Sequence, residues 1–275
     1  MATDMKTVKA IQYNNKSLKN IKDSNGNIIW GSQSDYPYRR LEYIHFSGSE
    51  YLTITGYRPQ KSFHFLDVKI PPKTTDWQFV WGAAHTINNV YYRLFWQTNT
   101  DKKGYYRLKG DNTAAWDMDT YANTLLELRC RIYNTNNTTG EFWWAVSDAS
   151  NVPMTGEPTD TQTGYTQIYG RKVSGSSYAV NFANFTSSLC IGGYMQNGTI
   201  GSLSACPIMN LYRYYVRASD DASQVVNLLF PCQRKSDGVC GLYNVKNGYF
   251  FPMTGTNITN AAAGPVIDEY WDLTA

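Results

Sequence analysis

Apolar and polar residues alternate with a period of two along almost the whole chain, and nowhere do apolar residues recur at i, i+3, i+4 and i+7 for more than a turn or two. That alternation predicts strands, because successive side chains of an extended backbone point to opposite faces. Strand-like runs are TVKAIQY, NIIW, LEYIHF, EYLTIT, SFHFLDVKI, WQFVWGA, VYYRLFWQ, GYYRL, LLELRCRIY, EFWWAVS, LCIGGYM, MNLYRYYVR, VVNLLF, GLYNV and GYFF, separated by clusters of Asn, Thr, Gly, Ser and Asp. So many short strands without intervening helices predict an all-β fold of two packed antiparallel sheets.

Alternation also sorts side chains between the two faces of each strand. In LLELRCRIY, Leu126, Leu128, Cys130 and Ile132 share the core face, and Glu127, Arg129, Arg131 and Tyr133 the other. In EFWWAVS the core set is Phe142, Trp144 and Val146, leaving Glu141, Trp143 and Ala145 opposite. VYYRLFWQ separates Tyr92, Leu94 and Trp96 from Tyr91, Arg93 and Phe95. The outward set is rich in rings and guanidinium groups, in a chain with 22 tyrosines. Three uses fit such a mixture: stacking and hydrogen bonding to a sugar, a protein interface, or cross-strand pairs that stabilise a solvated sheet by about 0.2–1 kcal/mol each. Tyr91, Arg93, Glu127, Arg129, Arg131, Tyr133 and Trp143 form the candidate ligand or interface face.

Composition narrows the partners. The 275 residues carry 25 basic and 22 acidic side chains, a formal charge of +3, with no basic block to neutralise a row of phosphates. Nucleic acid is not an expected partner. No apolar run approaches the roughly 20 residues of a membrane helix, and the N-terminal segment lacks the apolar core of a secretion signal. The expectation is a chain made in a cytoplasm, with no membrane insertion. Cys130, Cys190, Cys206, Cys232 and Cys240 are odd in number and widely spaced, which predicts buried thiols. A clasp between Cys232 and Cys240 stays open as an alternative.

Catalytic chemistry is not predicted. A glycosidase needs two carboxylates about 5–9.5 Å apart, and no single strand supplies them. His45, His64 and His85 lie in stretches without a nucleophile motif, and structural roles are expected for His45 and His64. None of the three has metal-ligand spacing to a cysteine pair. No cofactor is expected; calcium has candidate clusters in SDASN and KGDN, but neither matches a calcium-loop motif.

Residues 1–38 read as a small β-arm and linker, with Asn25-Gly26 as a hairpin turn; strands added to the edge of the main sheets are the alternative. Residues 39–265 form one sandwich and 266–275 a tail.

Two stretches resemble a known family. LEYIHFSGSEYLTITGYRP is similar to the opening strands of concanavalin A-like domains of the laminin-G or lectin/glucanase superfamily, through Tyr43, Ile44, Ser47, Gly48, Tyr51, Leu52, Gly56, Tyr57 and Pro59. VVNLLFPCQRKSDGVCGLYNVKNGYFFPMTGT resembles their closing segment, through Phe230, Pro231, Cys232, Lys235, Gly238, Gly241, Leu242, Tyr243, Asn247 and Phe250. Asn244 departs from the usual Asp after Tyr243. The N-terminal LKNIKDSNGNIIWGS resembles an arm preceding such domains in phage structural proteins. The resemblance implies a concanavalin A-like jelly roll with a short N-terminal β-arm, in a non-enzymatic virion protein of a tailed phage, of the kind found in crAss-like phages: a head fibre, a capsid decoration or a tail appendage. It implies partners among other virion proteins through the arm or tail, homo-oligomerisation, and adhesion to a host surface glycan. A gut-bacterial adhesin and a glycan-cleaving enzyme are the alternatives.

Overall fold

The computed structural model describes residues 11–13, 16–18, 20–22, 28–31, 37–55, 61–72, 77–87, 90–108, 111–136, 139–152, 165–175, 188–196, 199–200, 207–218 and 225–268; some side chains in these strands, including those of 11–31 and 84–95, are outside that description. Among the described residues every regular element is a strand, and the fold is an all-β antiparallel sandwich.

The larger sheet runs Thr166–Gly175, Thr139–Asp148, Leu126–Asn136, Lys61–Lys69, Ile208–Ala218, Val225–Arg234 and Cys240–Asn244, each antiparallel to the next. Ile44–Ser47 pairs with the first half of Ile208–Ala218, and Tyr38–Leu41 with the end of Val225–Arg234. The second sheet runs Asp111–Asp117, Lys103–Leu108, Val90–Thr98, Gln78–Ile87, Ser188–Ile191 and Tyr51–Thr55. Met195–Gln196 lies parallel to Gln78–Ile87. Tyr249–Thr254 joins the sheets, pairing with Cys240–Asn244 and, through Met253 and Thr254, with Leu52 and Tyr51.

The core between the sheets is aromatic. Trp81, Trp96, Trp144, Tyr106, Tyr214, Phe46 and Phe142 are all but inaccessible to solvent. Tyr106 stacks on Trp144 with centroids 5.0 Å apart, and Trp96 meets Trp144 edge-on at 5.1 Å. Such pairs add about 0.5–1.5 kcal/mol each beyond the area they bury. Leu126, Leu128, Cys130, Ile132, Phe142, Trp144 and Val146 all belong to this core, as alternation predicts.

One strand changes phase. Met209 and Leu211 point into the core, but so do Tyr214 and Val216, because the register with Lys61–Lys69 shifts between Leu211 and Arg213. Tyr212 is the extra residue of a β-bulge, and it turns Arg213 and Tyr215 outward.

Two hairpins close the larger sheet. In the second, Gly248 has φ +74° and donates its N–H to Asn244 O at 2.8 Å, while Asn247 keeps a negative φ. The Asn-Gly pair therefore contributes one left-handed residue rather than the two of a type I′ turn. In the first, Cys232 pairs with Gly241 and Cys240 with Gln233, so the two thiols point to opposite faces. Cys240 belongs to the main core and Cys232 to a cluster on the outer face, and both are free. The clasp left open by the sequence is excluded by this register. Burial pushes both thiols up, Cys240 to about 12.

In the N-terminal segment Ile11–Tyr13 pairs with Lys16–Leu18 and Asn20–Lys22 with Ile28–Gly31; Asn25 and Gly26 lie outside the described residues. Val266–Asp268 is a strand against Tyr38–Leu41, where the sequence gives no alternation to mark one.

Candidate functional site

The outward face of the larger sheet is ordered in rows across neighbouring strands. Arg213, Asp67, Glu127 and Ser147 form one row; Tyr215, Phe65, Arg129 and Ala145 the next; Arg217, Phe63, Arg131, Trp143 and Lys172 a third. Tyr133 and Glu141 follow as cross-strand partners. Phe65 stacks on Tyr215 at 4.0 Å, Phe63 lies 4.2 Å from Phe65, and Phe63 meets Trp143 edge-on at 5.3 Å. Leu228, Phe230, Cys232 and Tyr243 extend this second apolar cluster, with the Arg40 guanidinium 4.2 Å over the Phe230 ring.

The first row is a closed charge network. Asp67, Glu127 and Arg213 have no accessible surface. Arg213 Nε donates to Asp67 Oδ2 at 2.6 Å; Glu127 accepts from Arg129 Nε and from the Tyr165 hydroxyl at 2.8 Å. Asp67 Oδ1 has no hydrogen-bond partner among the described residues. Burial, with Glu127 beside it, pushes Asp67 above the ordinary carboxylate range against the pull of Arg213. Burial and the neighbouring Glu127 raise the Tyr165 and Tyr215 hydroxyls well above their ordinary value, which keeps them as donors. Two acids thus stand side by side across strands, although no single strand carries such a pair. The readable signal was parity: Asp67 shares the face of Phe63 and Phe65 in SFHFLDVKI. Both carboxylates are enclosed by guanidinium and phenol groups.

Glu127, Arg129, Arg131, Tyr133 and Trp143 are brought together on this face. Tyr91 and Arg93 are on Val90–Thr98 of the other sheet, and their side chains lie outside the described residues. The solvent-facing part is a ridge in which Phe63 and Trp143 are half-buried, with Arg131 3.8 Å and Lys172 Nζ 2.9 Å from Glu141.

Beyond the other end of the charged row a half-open cleft of about 470 Å³ is lined by Tyr43, His45, Lys69, Asn123 and Asn210, with Pro71, Ile208, Met209, Ala261 and Ala263. His45, Asn210 and Lys69 are cross-strand neighbours on three strands, and His45 Nδ1 is 2.7 Å from Asn210 Oδ1. Sequence analysis gave His45 a structural role and did not find this cleft, whose lining comes from segments more than 200 positions apart.

Among the described residues no group of three or more His, Cys, Asp or Glu is arranged to hold a metal ion. Among the described residues no helix is long and apolar enough to cross a membrane.

No family model matches the chain, and no curated protein does. Solved structures are similar at low identity. Full-length tailspike protein 2 of the Escherichia coli O157:H7 bacteriophage CAB120 aligns at 11% identity and TM-score 0.42, over 71% of this chain and 29% of its own. A candidate carbohydrate-binding protein from Bacteroides ovatus ATCC 8483 aligns at 10% identity and TM-score 0.43, over 91% of this chain and 68% of its own. Scytalido-glutamic peptidase aligns at 9% identity and TM-score 0.26, over 81% of this chain and 91% of its own. The chain thus spans under a third of the full-length tailspike, and at these values none of the likenesses bears on what it binds.

Proposed function

We propose that this chain is a non-enzymatic virion protein of a tailed phage whose sandwich presents the Trp143 ridge to a glycan on the host surface. The observation that carries the reading is the ridge itself: Phe63 and Trp143 in edge-on contact, bordered by Arg131, Glu141 and Lys172. Ring faces suit the apolar C–H face of a sugar, and the flanking charged groups suit its hydroxyls. All five side chains rise from strands, so little freedom is lost when a ligand docks. The non-enzymatic part rests on the enclosure of Asp67 and Glu127, which denies them contact with a substrate. The virion setting rests on the resemblance of the N-terminal segment to an arm that precedes such domains in phage structural proteins.

A glycan array tests the binding. The folded chain is expected to retain a subset of bacterial surface glycans, and Trp143→Ala or Arg131→Ala to weaken that retention at least about fivefold, as the loss of roughly 1 kcal/mol of ring or hydrogen-bond contact requires. A folded sample that retains nothing, or retention indifferent to both substitutions, would remove the ridge as the site.

A further inference from the structure

We infer that the Lys69 cleft is a second binding site, separate from the Trp143 ridge, for an acidic sugar residue held by its carboxylate. The cleft is polarised: Lys69 and His45 line it, and no Asp or Glu does. Lys69 is half-buried, its ammonium lies 5.2 Å over the Tyr212 ring and it hydrogen-bonds that residue, yet among the described residues no carboxylate pairs with it. A partly desolvated cation left without a counter-ion inside the protein favours an anion from outside. Of the nearby acids, Asp67 is turned to Arg213 in the adjoining row, and Glu42, which acts on the Tyr212 hydroxyl, is exposed and forms no ion pair with Lys69.

Two neighbours are placed to orient the sugar. Asn210 Oδ1 accepts from His45 Nδ1–H, so the neutral ring presents Nε2 as an acceptor for a sugar hydroxyl, with no partner among the described residues. Asn123 in the wall has φ +56°, an uncommon conformation for a residue other than glycine, and its N–H is tied to Ile70 O at 3.2 Å beside Pro71. Tyr212 of the bulge lies behind the lining, against Lys69 and Tyr43.

The rest of the lining selects a sugar over a bare ion. Pro71 and Ile208, the latter 47% exposed, supply apolar surface that a small inorganic anion would not use. A volume of about 470 Å³ lies within the roughly 300–1,000 Å³ of small-molecule sites.

The test is a titration of the full chain, followed by backbone NMR signals, with glucuronate, N-acetylneuraminate, neutral methyl glucoside, acetate and inorganic phosphate. At least one acidic sugar is expected to shift signals around residues 43–45, 69–71 and 208–210, with affinity at least about tenfold above methyl glucoside. Lys69→Gln should lower that affinity about tenfold or more, and His45→Gln severalfold, with Trp143→Ala without effect. The inference is overturned if methyl glucoside binds as well as the acidic sugars, if neither acidic sugar binds, if phosphate or acetate binds as tightly, or if both cleft variants bind like the wild type. Loss of acidic-sugar binding in Trp143→Ala would overturn it too, by moving the site to the ridge. Retention of acidic-sugar binding in a chain that fails the glycan-array test at Trp143 would leave the cleft standing without the ridge.

Discussion

His64 has no accessible surface, lies against Trp81 and makes hydrogen bonds through both ring nitrogens, with Ser62 Oγ at 2.9 Å and Tyr214 OH at 2.8 Å. Burial lowers its pKa from 6.5 to about 3. The unfolded chain therefore binds a proton that the folded chain refuses between those two values. The stability this residue contributes is fully present above pH 6.5 and is lost on acidification at about 1.4 kcal/mol per pH unit. Urea unfolding at pH 7, 6, 5 and 4 should show that additional slope in the wild type relative to His64→Asn; equal slopes would mean that the fold accepts the protonated ring. Alternation in SFHFLDVKI supports the structural role expected for His64, since it shares a face with the core residues Leu66 and Val68. Its partner Tyr214 stands 150 positions away, and no local pattern carries that information. Arg213 and Asp67 follow the same logic: removing Arg213 takes the ion-pair partner from a fully buried carboxylate, a loss of about 3–5 kcal/mol, while their pairing depends on a register the sequence does not state.

At the scale of elements, the bulge in Ile208–Ala218 decides which residues meet the outward face. Without the extra residue, parity from Met209 and Leu211 would carry Arg213 and Tyr215 into the core and Tyr214 out of it. Deletion of Tyr212 is therefore expected to abolish cooperative unfolding or soluble expression, whereas Tyr212→Phe, which keeps the count, should melt within a few degrees of the wild type; a soluble, cooperatively melting deletion would show that the strand can slide. Core strands were legible because one side faces the sandwich interior and the other does not. Thr166–Gly175 was not: its positions are mostly exposed or half-buried on both faces, with Val173 as its one fully buried side chain, so no alternation marks it. Val266–Asp268 is exposed for the same reason, lying at the margin of its sheet. Asp111–Asp117 was hidden differently, because the register with Lys103–Leu108 shifts between Gly104 and Tyr105 and breaks the alternation.

At the scale of the molecule, the opening and closing motifs mark the fold because they touch. Glu50 accepts from Ser47 N at 2.6 Å, Ser49 Oγ at 2.6 Å and, from 207 positions away, Asn257 N at 3.0 Å. Burial opposes its ionisation, and these donors overcome it, holding the carboxyl below its ordinary range. The ridge was partly legible from five outward residues, but the cleft forms only when Tyr43, Lys69, Asn210 and Ala263 are assembled. Within the N-terminal segment the described strands pair with one another, while Pro37 O accepts from Lys235 N at 2.9 Å and Tyr38 joins the larger sheet. Removal of residues 1–36 should thus leave the melting temperature of the sandwich unchanged and, under the proposed virion role, abolish incorporation into phage particles, read by mass spectrometry of purified virions. A truncated chain that is still incorporated would assign attachment to another surface.

Tyr38–Leu41 and Val266–Asp268 lie side by side and antiparallel, Leu41 opposite Val266 and Arg40 opposite Asp268. The chain reaches the sandwich and leaves it at neighbouring points on one margin. Traction applied through both flanks would load this ladder from one end, parting its hydrogen bonds in succession rather than shearing them together. Were such a domain held through both flanks, it would yield first at this seam.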